Sequence, residues 1–257
     1  MGILCNTFGF TGGVISLVGG GGKTSFMFAL ASELASSGET VITTTTTKIF
    51  PPAKEQSETV ITAAGEEEIL KALEARPPHA RHVTLAKEFI PGLGKLNGYD
   101  PGVIDRLRKT SGFGWIIVEA DGAKQRPFKA PATHEPVVPS ASRWVVAVIG
   151  LDAVGNPLNE DWAHRPELVA RLTGLNVGDD ITSESVADVL LHPSGMFRNS
   201  PAEARKLVFL NKGEELGRQK AGLEIRAALK NKGKGLIDKI VVGSLRPEII
   251  IFDCVSL

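Results

Sequence analysis

The sequence predicts an α/β fold in which a doubly wound, mostly parallel sheet carries a helical insertion. Two observations lead to this prediction. Short apolar runs typical of buried strands alternate along the chain with segments of helical periodicity. Several of the runs end in glycine-rich or polar segments, and doubly wound sheets bind their ligands beside the carboxyl ends of such strands.

The first elements follow from the pattern of apolar residues and of chain breakers. Residues 14–18 form an apolar strand, and the helical spacing of apolar residues over 23–36 ends before Gly38. The β-branched residues 40–44 favour a strand, whereas the glycines and prolines of 87–101 favour a loop. Between and after these we predict strands over 59–62, 82–86 and 115–118 and helices over 66–75 and 101–109.

The second half of the chain continues the alternation and adds one long connection. We predict strands over 143–150, 207–210, 235–242 and 248–252 and a helix over 214–229. Residues 151–205 contain helical segments near 166–172 and 183–191. We therefore expect residues 1–150 and 206–257 to form one α/β core and residues 151–205 to form a mainly helical insertion.

The composition restricts the kinds of partner. The chain has 257 residues, and its 29 basic and 29 acidic residues cancel, which disfavours a general binder of nucleic acid or anionic membranes. Cys5 and Cys254, near the two ends, give neither a disulfide framework nor a metal-binding spacing, and no apolar run is long enough to span a membrane. We expect a cytoplasmic protein that binds neither nucleic acid nor a membrane.

The most informative segment lies between the first strand and the first long helix. Glycines free the backbone N–H groups to point at one anion, and the helix that follows presents its positive end. A lysine here would contact the terminal phosphates, and a threonine would place its hydroxyl on Mg²⁺. This pattern predicts a P-loop NTPase-like site for ATP or GTP with Mg²⁺, whose binding residues are Gly19, Gly20, Gly21, Gly22, Lys23, Thr24 and Ser25.

The loop departs from the common pattern at one position. The first glycine of the G-x-x-x-x-G-K-[ST] pattern would fall on Leu17. The shorter turn from Gly19 to Thr24 resembles the loop of the ATP-dependent Mur ligases, in which an apolar residue also precedes the glycines.

Two carboxylates directly follow the apolar run 115–118. A nucleotide site needs an acid beside the loop to hold Mg²⁺, directly or through water, next to the Thr24 hydroxyl. We predict Thr24 and Glu119 as metal ligands and Lys23, Glu119 and Asp121 as the catalytic group. For Asp121, which precedes a glycine, a simple turn is the alternative.

Three further segments follow strands and supply candidate ligand-binding residues. The threonine tract gives Thr45, Thr46 and Lys48, and the polar segment after Asp121 gives Lys124, with Arg126 or Lys129 as alternatives. The segment after strand 207–210 resembles the N-K-x-D element with which GTPases recognise guanine. It supplies Asn211, Lys212 and Glu214, the last in place of aspartate.

Taken together, these segments resemble the YqeC-like family of accessory proteins for selenium-dependent hydroxylases. The resemblance covers nearly the whole chain and is carried by its most specific segments, Thr44-Thr45-Thr46-Thr47-Lys48-Ile49 and Val118-Glu119-Ala120-Asp121-Gly122-Ala123-Lys124, together with Val18 to Thr24, Lys129-Ala130-Pro131, His134-Glu135-Pro136 and Leu210-Asn211-Lys212. It implies a cytoplasmic P-loop protein that takes part in the maturation of selenium-dependent molybdenum hydroxylases. A client metalloenzyme or another maturation protein would then be its partner.

Three functions agree with these residues. The first is a magnesium-dependent NTPase that assists the maturation of such a metalloenzyme. The second is a small-molecule kinase or ATP-dependent ligase, which the Mur-like loop and the cationic segment after Asp121 favour. The third is a nucleotide-sensing scaffold that does not hydrolyse its ligand.

Overall fold

The structure, a computed structural model, describes residues 2–233 and 235–257. Strands and helices alternate along most of the chain, as the hydrophobic pattern predicts. The helices are α1 (Ile3–Phe8), α2 (Lys23–Ser36), α3 (Glu66–Glu74), α4 (Pro101–Thr110), α5 (Pro166–Thr173), α6 (Ser183–Leu191) and α7 (Leu216–Lys232). The strands are β1 (Gly13–Gly19), β2 (Val41–Thr45), β3 (Lys48–Ile49), β4 (Val60–Thr62), β5 (His82–Ala86), β6 (Glu88–Ile90), β7 (Lys95–Asn97), β8 (Trp115–Glu119), β9 (Phe128–Lys129), β10 (Ser142–Gly150), β11 (Ala163–His164), β12 (Arg205–Asn211), β13 (Lys239–Ser244) and β14 (Ile250–Ser256).

The main sheet has nine strands in the order β14-β13-β12-β10-β1-β8-β2-β5-β4. Every neighbouring pair is parallel except β13 and β14 at one edge, which are antiparallel. The predicted doubly wound, mostly parallel α/β fold is therefore confirmed.

Helices cover both faces of the sheet. Side chains on a strand alternate between the two faces, and here both faces carry apolar residues that pack against helices. In β1, Ile15 and Leu17 pack in the cluster that contains α1 and α2. Val14 and Val18 point to the other face, where α3 and α4 cover one half and α6 and α7 the other. Leu17, which replaces the first glycine of the common loop pattern, is thus a fully buried strand residue.

The prediction of a loop over residues 87–101 is wrong. Strands β6 and β7 form an antiparallel hairpin in this segment, and β7 also pairs with β3, which follows the threonine tract. We call this three-stranded sheet the flap. Its strands have only two or three residues, too few to give a detectable hydrophobic period in the sequence.

The segment 151–205 contains α5 and α6 close to their predicted positions, together with turns and the two-residue strand β11. Its apolar residues, such as Leu158, Val169 and Val186, belong to the same buried cluster as Val145 and Val208 of the main sheet. Strand β11 pairs with β9, which links the segment to the chain that follows β8. The division of the chain into a core and an insertion stays a prediction.

Among the residues that the structure describes, no helix has the length and apolar character needed to cross a membrane.

Candidate functional site

A cleft of about 960 Å³ lies at the carboxyl edge of the main sheet. Chain segments that follow β1, β2, β8 and β12 form its floor, and the flap closes one end. This is where open α/β sheets hold ligands, because the loops that leave neighbouring parallel strands diverge there.

The glycine loop after β1 is held by backbone hydrogen bonds and leaves no room for side chains. The N–H groups of Gly20 and Gly21 donate to the carbonyls of Val148 and Arg126 at 2.9 and 3.0 Å. A Cβ atom at Gly21 would collide with the backbone of Gly150, and Gly21 has a positive φ of 71°. Glycine is therefore required here by both space and backbone conformation.

The start of α2 offers a row of free donors to the cleft. Among the described residues, the N–H groups of Gly22, Lys23, Thr24 and Ser25 donate no hydrogen bond to a protein group. Their side chains or backbone line the cleft. Successive unpaired N–H groups at the N-terminus of a 14-residue helix form an anion-binding arrangement.

Lys23 and the carboxyl groups of Glu119 and Asp121 lie beside this row at buried positions. The Nζ atom of Lys23 is 3.8 Å from Glu119 Oε1 and 3.1 Å from Asp121 Oδ1. Burial alone lowers the pKa of Lys23, but the carboxylates of Asp121 and Glu119 outweigh it and raise that pKa, so Lys23 is a cation. Burial raises the pKa of Glu119, although Lys23 and the Thr24 hydroxyl act in the opposite direction.

Thr24 and Glu119 fit a magnesium ion that is held together with a nucleotide. The hydroxyl of Thr24 donates to Glu119 Oε2 at 2.7 Å, so two oxygen ligands stand side by side on the floor of the cleft. Mg²⁺ prefers oxygen ligands and takes only one or two from the protein, and phosphates and water complete its shell. Both predicted metal ligands are therefore brought together.

Asp121 lies behind the loop rather than on the wall of the cleft. It is 1% exposed, and its Oδ2 accepts a hydrogen bond from the N–H of Gly19 at 3.0 Å. The same oxygen is 2.9 Å from the Nζ of Lys129. Asp121 thus holds the loop and Lys23 in place.

A chain of buried ion pairs continues from Asp121 into the segment 151–205. Lys129, fully buried, also lies 2.8 Å from Glu135 Oε2, and Arg165 binds both oxygens of Glu135 at 2.5 and 3.2 Å. Lys129 was one of three candidate ligand contacts, but the structure turns it away from the cleft. Its charge is instead neutralised by the two carboxylates, as burial of a cation demands.

These charges set the pKa values of two groups at the cleft. Burial raises the pKa of Glu135, but the hydrogen bonds from Arg165 and the charge of Lys129 overcome it and lower that pKa to about 2. Burial and the positive charges of Arg165, Lys129 and Lys124 lower the pKa of His164 to about 4. At neutral pH Glu135 is therefore charged and His164 is neutral.

Residues of the threonine tract have two roles: one supports the end of β8, and others line the cleft. Thr45 is buried, and its hydroxyl donates to the carbonyl of Glu119 at 2.7 Å, which fixes the end of β8. Thr46 and Lys48 line the cleft, and the Thr46 hydroxyl donates to the carbonyl of Val137 at 2.7 Å. Two of the three residues predicted from this tract thus face the site.

The segment after β12 supports the loop from the other side. The Asn211 amide donates to the carbonyl of Gly21 at 2.8 Å, and its own Oδ1 is buried without a partner among the described residues. Lys212 lines the cleft and contacts Asp152 at 2.6 Å. Glu214 is not brought into the cleft, since it binds Ser244 and lies 3.8 Å from Arg218.

The remaining cations surround the opening. Lys124 and Arg126 line the cleft as expected, and Lys124 has a left-handed backbone with φ of 46°. The sequence reasoning missed Phe50, Lys95 and Arg246, which also line it. Lys95 reaches the site only through pairing of β3 with β7, for which the sequence carries no local signal.

The structure is an α/β protein whose mostly parallel, nine-stranded sheet is consistent with the doubly wound fold of P-loop NTPases, and a glycine-rich loop lies at the carboxyl edge of that sheet. Residues 15–167 match the family model described as YqeC protein. The uncharacterized protein YqeC of Escherichia coli (strain K12) is similar, with 34% identity over 204 residues that cover 77% of this chain and 75% of that protein. The chain belongs to the YqeC family, as the resemblance of its motifs indicates.

Proposed function

We propose that the protein binds a nucleoside triphosphate, ATP or GTP, together with Mg²⁺ in the cleft and cleaves its terminal phosphoanhydride bond. The observation that carries this proposal is the row of free N–H groups from Gly22 to Ser25 beside Lys23 and the Thr24–Glu119 pair. Phosphates are bound by such donors, and a Thr–carboxylate pair suits the accompanying metal.

The residues have separate tasks in this proposal. The N–H groups and Lys23 bind and orient the phosphates, and Thr24 and Glu119 hold the metal, which neutralises charge that builds up on the phosphate oxygens. Asp121 positions Lys23 and the loop through its contacts with Lys23 and Gly19. The Thr45 contact with the Glu119 carbonyl keeps that carboxylate beside Thr24.

The role in metalloenzyme maturation is part of the proposal. The chain belongs to the YqeC family, and the role itself is what the resemblance of the motifs implies. Hydrolysis would drive a step in which a client, a selenium-dependent molybdenum hydroxylase, is completed. Loss of this protein from cells that contain such a hydroxylase should then lower its activity, and the Thr24→Val variant should fail to restore it. If Thr24→Val restores the activity as well as the unchanged protein does, the maturation role does not require the nucleotide site.

Nucleotide binding is tested directly by thermal unfolding with ATP and GTP, each with and without Mg²⁺. A ligand at 100 times its Kd adds about 2.7 kcal/mol to the stability of the folded state, which corresponds to a rise in Tm of roughly 5–10 °C at this chain length. Lys23→Met should abolish the rise, and Thr24→Val should remove the part that needs Mg²⁺. Each variant is compared with its own Tm without ligand, because Lys23 also contributes buried ion pairs.

Matched controls are available on the surface. Lys71→Met removes an exposed lysine of α3, and Thr110→Val removes an exposed threonine at the end of α4, both outside the cleft. Both controls should keep the full response to nucleotide. The proposal fails if neither nucleotide raises the Tm, or if Lys23→Met responds as the unchanged protein does.

A phosphotransferase or ligase is the second candidate, since the cleft continues past the loop toward the flap. Release of inorganic phosphate without a second substrate supports hydrolysis, whereas phosphate transfer to a small molecule supports the second candidate. Tight binding without turnover would instead support a nucleotide-sensing scaffold.

A further inference from the structure

The cleft extends to both sides of the glycine loop. In the order of the main sheet, β12 lies two strands from β1 on one side and β2 lies two strands away on the other. Neighbouring strands are about 4.8 Å apart, so the floor of the cleft spans roughly 19 Å with the loop in its centre. Lys212 stands at one end, and Lys48, Phe50 and Lys95 stand at the other, which we call the flap end.

A nucleotide whose phosphates lie at the loop would extend along the cleft to only one side of the loop. The inference rests on the proposed function, because it takes the phosphates to lie at the loop and the metal to lie at Thr24 and Glu119. Glu119 ends β8, on the flap side of the loop, so the terminal phosphate faces the flap end and the nucleoside extends toward Lys212. The flap end is then left for another molecule beside the terminal phosphate.

The cleft carries enough positive charge to bind a second anion beside the nucleotide. Among residues 2–233 and 235–257, eight cationic side chains and two carboxylates line it, although the whole chain has a net charge of zero. Within the same residues, Lys48, Lys95, Lys124 and Arg246 form no ion pair, and two of these four belong to the flap end. Mg²⁺ already neutralises part of the charge of a triphosphate, so these cations exceed what one nucleotide needs.

The flap end also presents an aromatic ring. The side chain of Phe50 is 53% exposed although its neighbour Ile49 is buried, and the Nζ of Lys95 lies 4.6 Å from the centre of its ring. An exposed aromatic side chain in a polar cleft is a surface on which a flat ring can stack. A ring that stacks there brings an acidic substituent next to Lys95 and Lys48.

The flap is anchored firmly enough to keep this arrangement. The N–H groups of Gly98 and Tyr99 donate to the carbonyls of Thr47 and Thr45 at 2.7 and 3.0 Å. The Tyr99 hydroxyl, which is buried, lies 2.7 Å from the carbonyls of both Ala63 and Ala86. The flap end is thus tied to the same threonine tract that supports Glu119.

We propose that the flap end binds a second small molecule, which carries an aromatic ring and at least one phosphate or carboxylate group. Phe50 stacks on the ring, and Lys48 and Lys95 bind the acidic group. The molecule lies beside the terminal phosphate of the nucleotide.

The test uses 1-naphthyl phosphate as the probe, with the unmodified chain saturated with ADP and Mg²⁺ so that the loop is occupied. Ligand-observed NMR or calorimetry gives the Kd. Phe50→Ala should weaken binding of the probe by about tenfold, in line with the cost of losing one stacking ring, and Lys95→Met should weaken it in the same direction. Phe89→Ala is the matched control, because Phe89 is 47% exposed on β6 of the same flap but does not line the cleft.

Each outcome decides the inference. Binding that is weakened by Phe50→Ala and unchanged by Phe89→Ala supports it. It is overturned if the probe does not bind to the ADP-saturated protein, if Phe50→Ala binds the probe as tightly as the unchanged protein, or if glycerol 3-phosphate, which lacks a ring, binds equally well. If ADP itself does not bind, the proposed function fails. Binding of the probe to the same variants, measured without nucleotide, then still tests whether the flap end is a binding site.

Discussion

At the scale of single residues, the glycine loop depends on the lack of Cβ atoms at its glycines. Gly21 lies directly against Gly150, and a Cβ at Gly21 would be 2.0 Å from the Gly150 nitrogen, so the backbone would have to move. A Cβ at Gly150 would instead meet the Asp152 side chain at 2.3 Å and the Cβ of Pro127 at 2.8 Å. Gly22 has a φ of 130° and stands against the Asn211 amide. The close approach brings the free N–H groups to the floor of the cleft, where a side chain would otherwise cover them.

Replacing Gly21 by alanine separates this packing from backbone strain. Gly38 also has a positive φ, of 88°, but a Cβ there would have no atom within 4 Å. Gly38→Ala should therefore cost only the left-handed conformation, about 1–2 kcal/mol, whereas Gly21→Ala should cost about 3 kcal/mol or more because the backbone must also shift. Urea unfolding measures both, and equal losses would contradict the close packing of Gly21 and Gly150.

At the scale of elements, buried charges join pieces that are distant in the chain. Asp121 follows β8, Lys129 belongs to β9, and Arg165 immediately precedes α5, where its backbone is left-handed with φ of 62°. Glu135 connects the last two through contacts with both cations. Because each charge is neutralised only when all these elements are in place, the segment 151–205 is fixed to the glycine loop.

The ion pairs of Glu135 make the stability of the folded protein depend on pH. The pKa of Glu135 is about 2 in the folded protein, below the ordinary value of 4.5. A lowered folded pKa adds stability that is complete above the unfolded pKa and is lost as pH falls from about 4.5 toward 2. At about 1.4 kcal/mol per pKa unit, the contribution is roughly 3 kcal/mol at neutral pH.

Glu135→Gln should remove this contribution. We expect a lower free energy of unfolding at pH 7 and a weaker loss of stability between pH 5 and pH 3, both measured by urea unfolding. Glu160→Gln, which changes an exposed glutamate of the same 151–205 segment that Glu135 anchors, is the control and should leave the pH profile unchanged. The same profile in Glu135→Gln and the unchanged protein would rule out the proposed role of the ion pairs.

At the scale of the whole molecule, charge is distributed unevenly. Basic and acidic residues balance over the chain, yet cations dominate the cleft at the carboxyl edge of the sheet. A cleft with one sign of charge concentrates ligands of the opposite sign, and salt screens this attraction.

Binding of nucleotide should therefore weaken with salt while the fold changes little. Raising the salt from about 0.05 M to 0.5 M shortens the screening length by about threefold, and we expect the Kd of the nucleotide with Mg²⁺ to rise at least severalfold. Calorimetry measures this Kd, and Lys124→Met should reduce its dependence on salt because Lys124 lines the cleft. Lys220→Met, on the surface of α7 outside the cleft, should not, and an equal effect of the two variants would show that the cleft charges are unimportant.

Local patterns predicted much of the fold. The helix predicted over 23–36 is α2 (Lys23–Ser36), and the strand predicted over 82–86 is β5 (His82–Ala86). These elements are long or buried enough for their hydrophobic period to be read from neighbouring residues. The juxtaposition of Thr24 with Glu119 was also predicted, because the carboxyl ends of parallel strands meet at one edge of the sheet.

The sequence by itself determined the α/β alternation, the glycine loop and the acid that stands beside it, since each depends on residues close in the chain or on the direction of parallel strands. Only the tertiary structure decided that Lys129 is buried between Asp121 and Glu135, that Glu214 stays outside the cleft, and that the flap brings Phe50 and Lys95 together. The physical reason is that burial and pairing of charges depend on contacts between residues far apart in the chain. Lys48, for example, meets Asn97 only after β3 and β7 have paired.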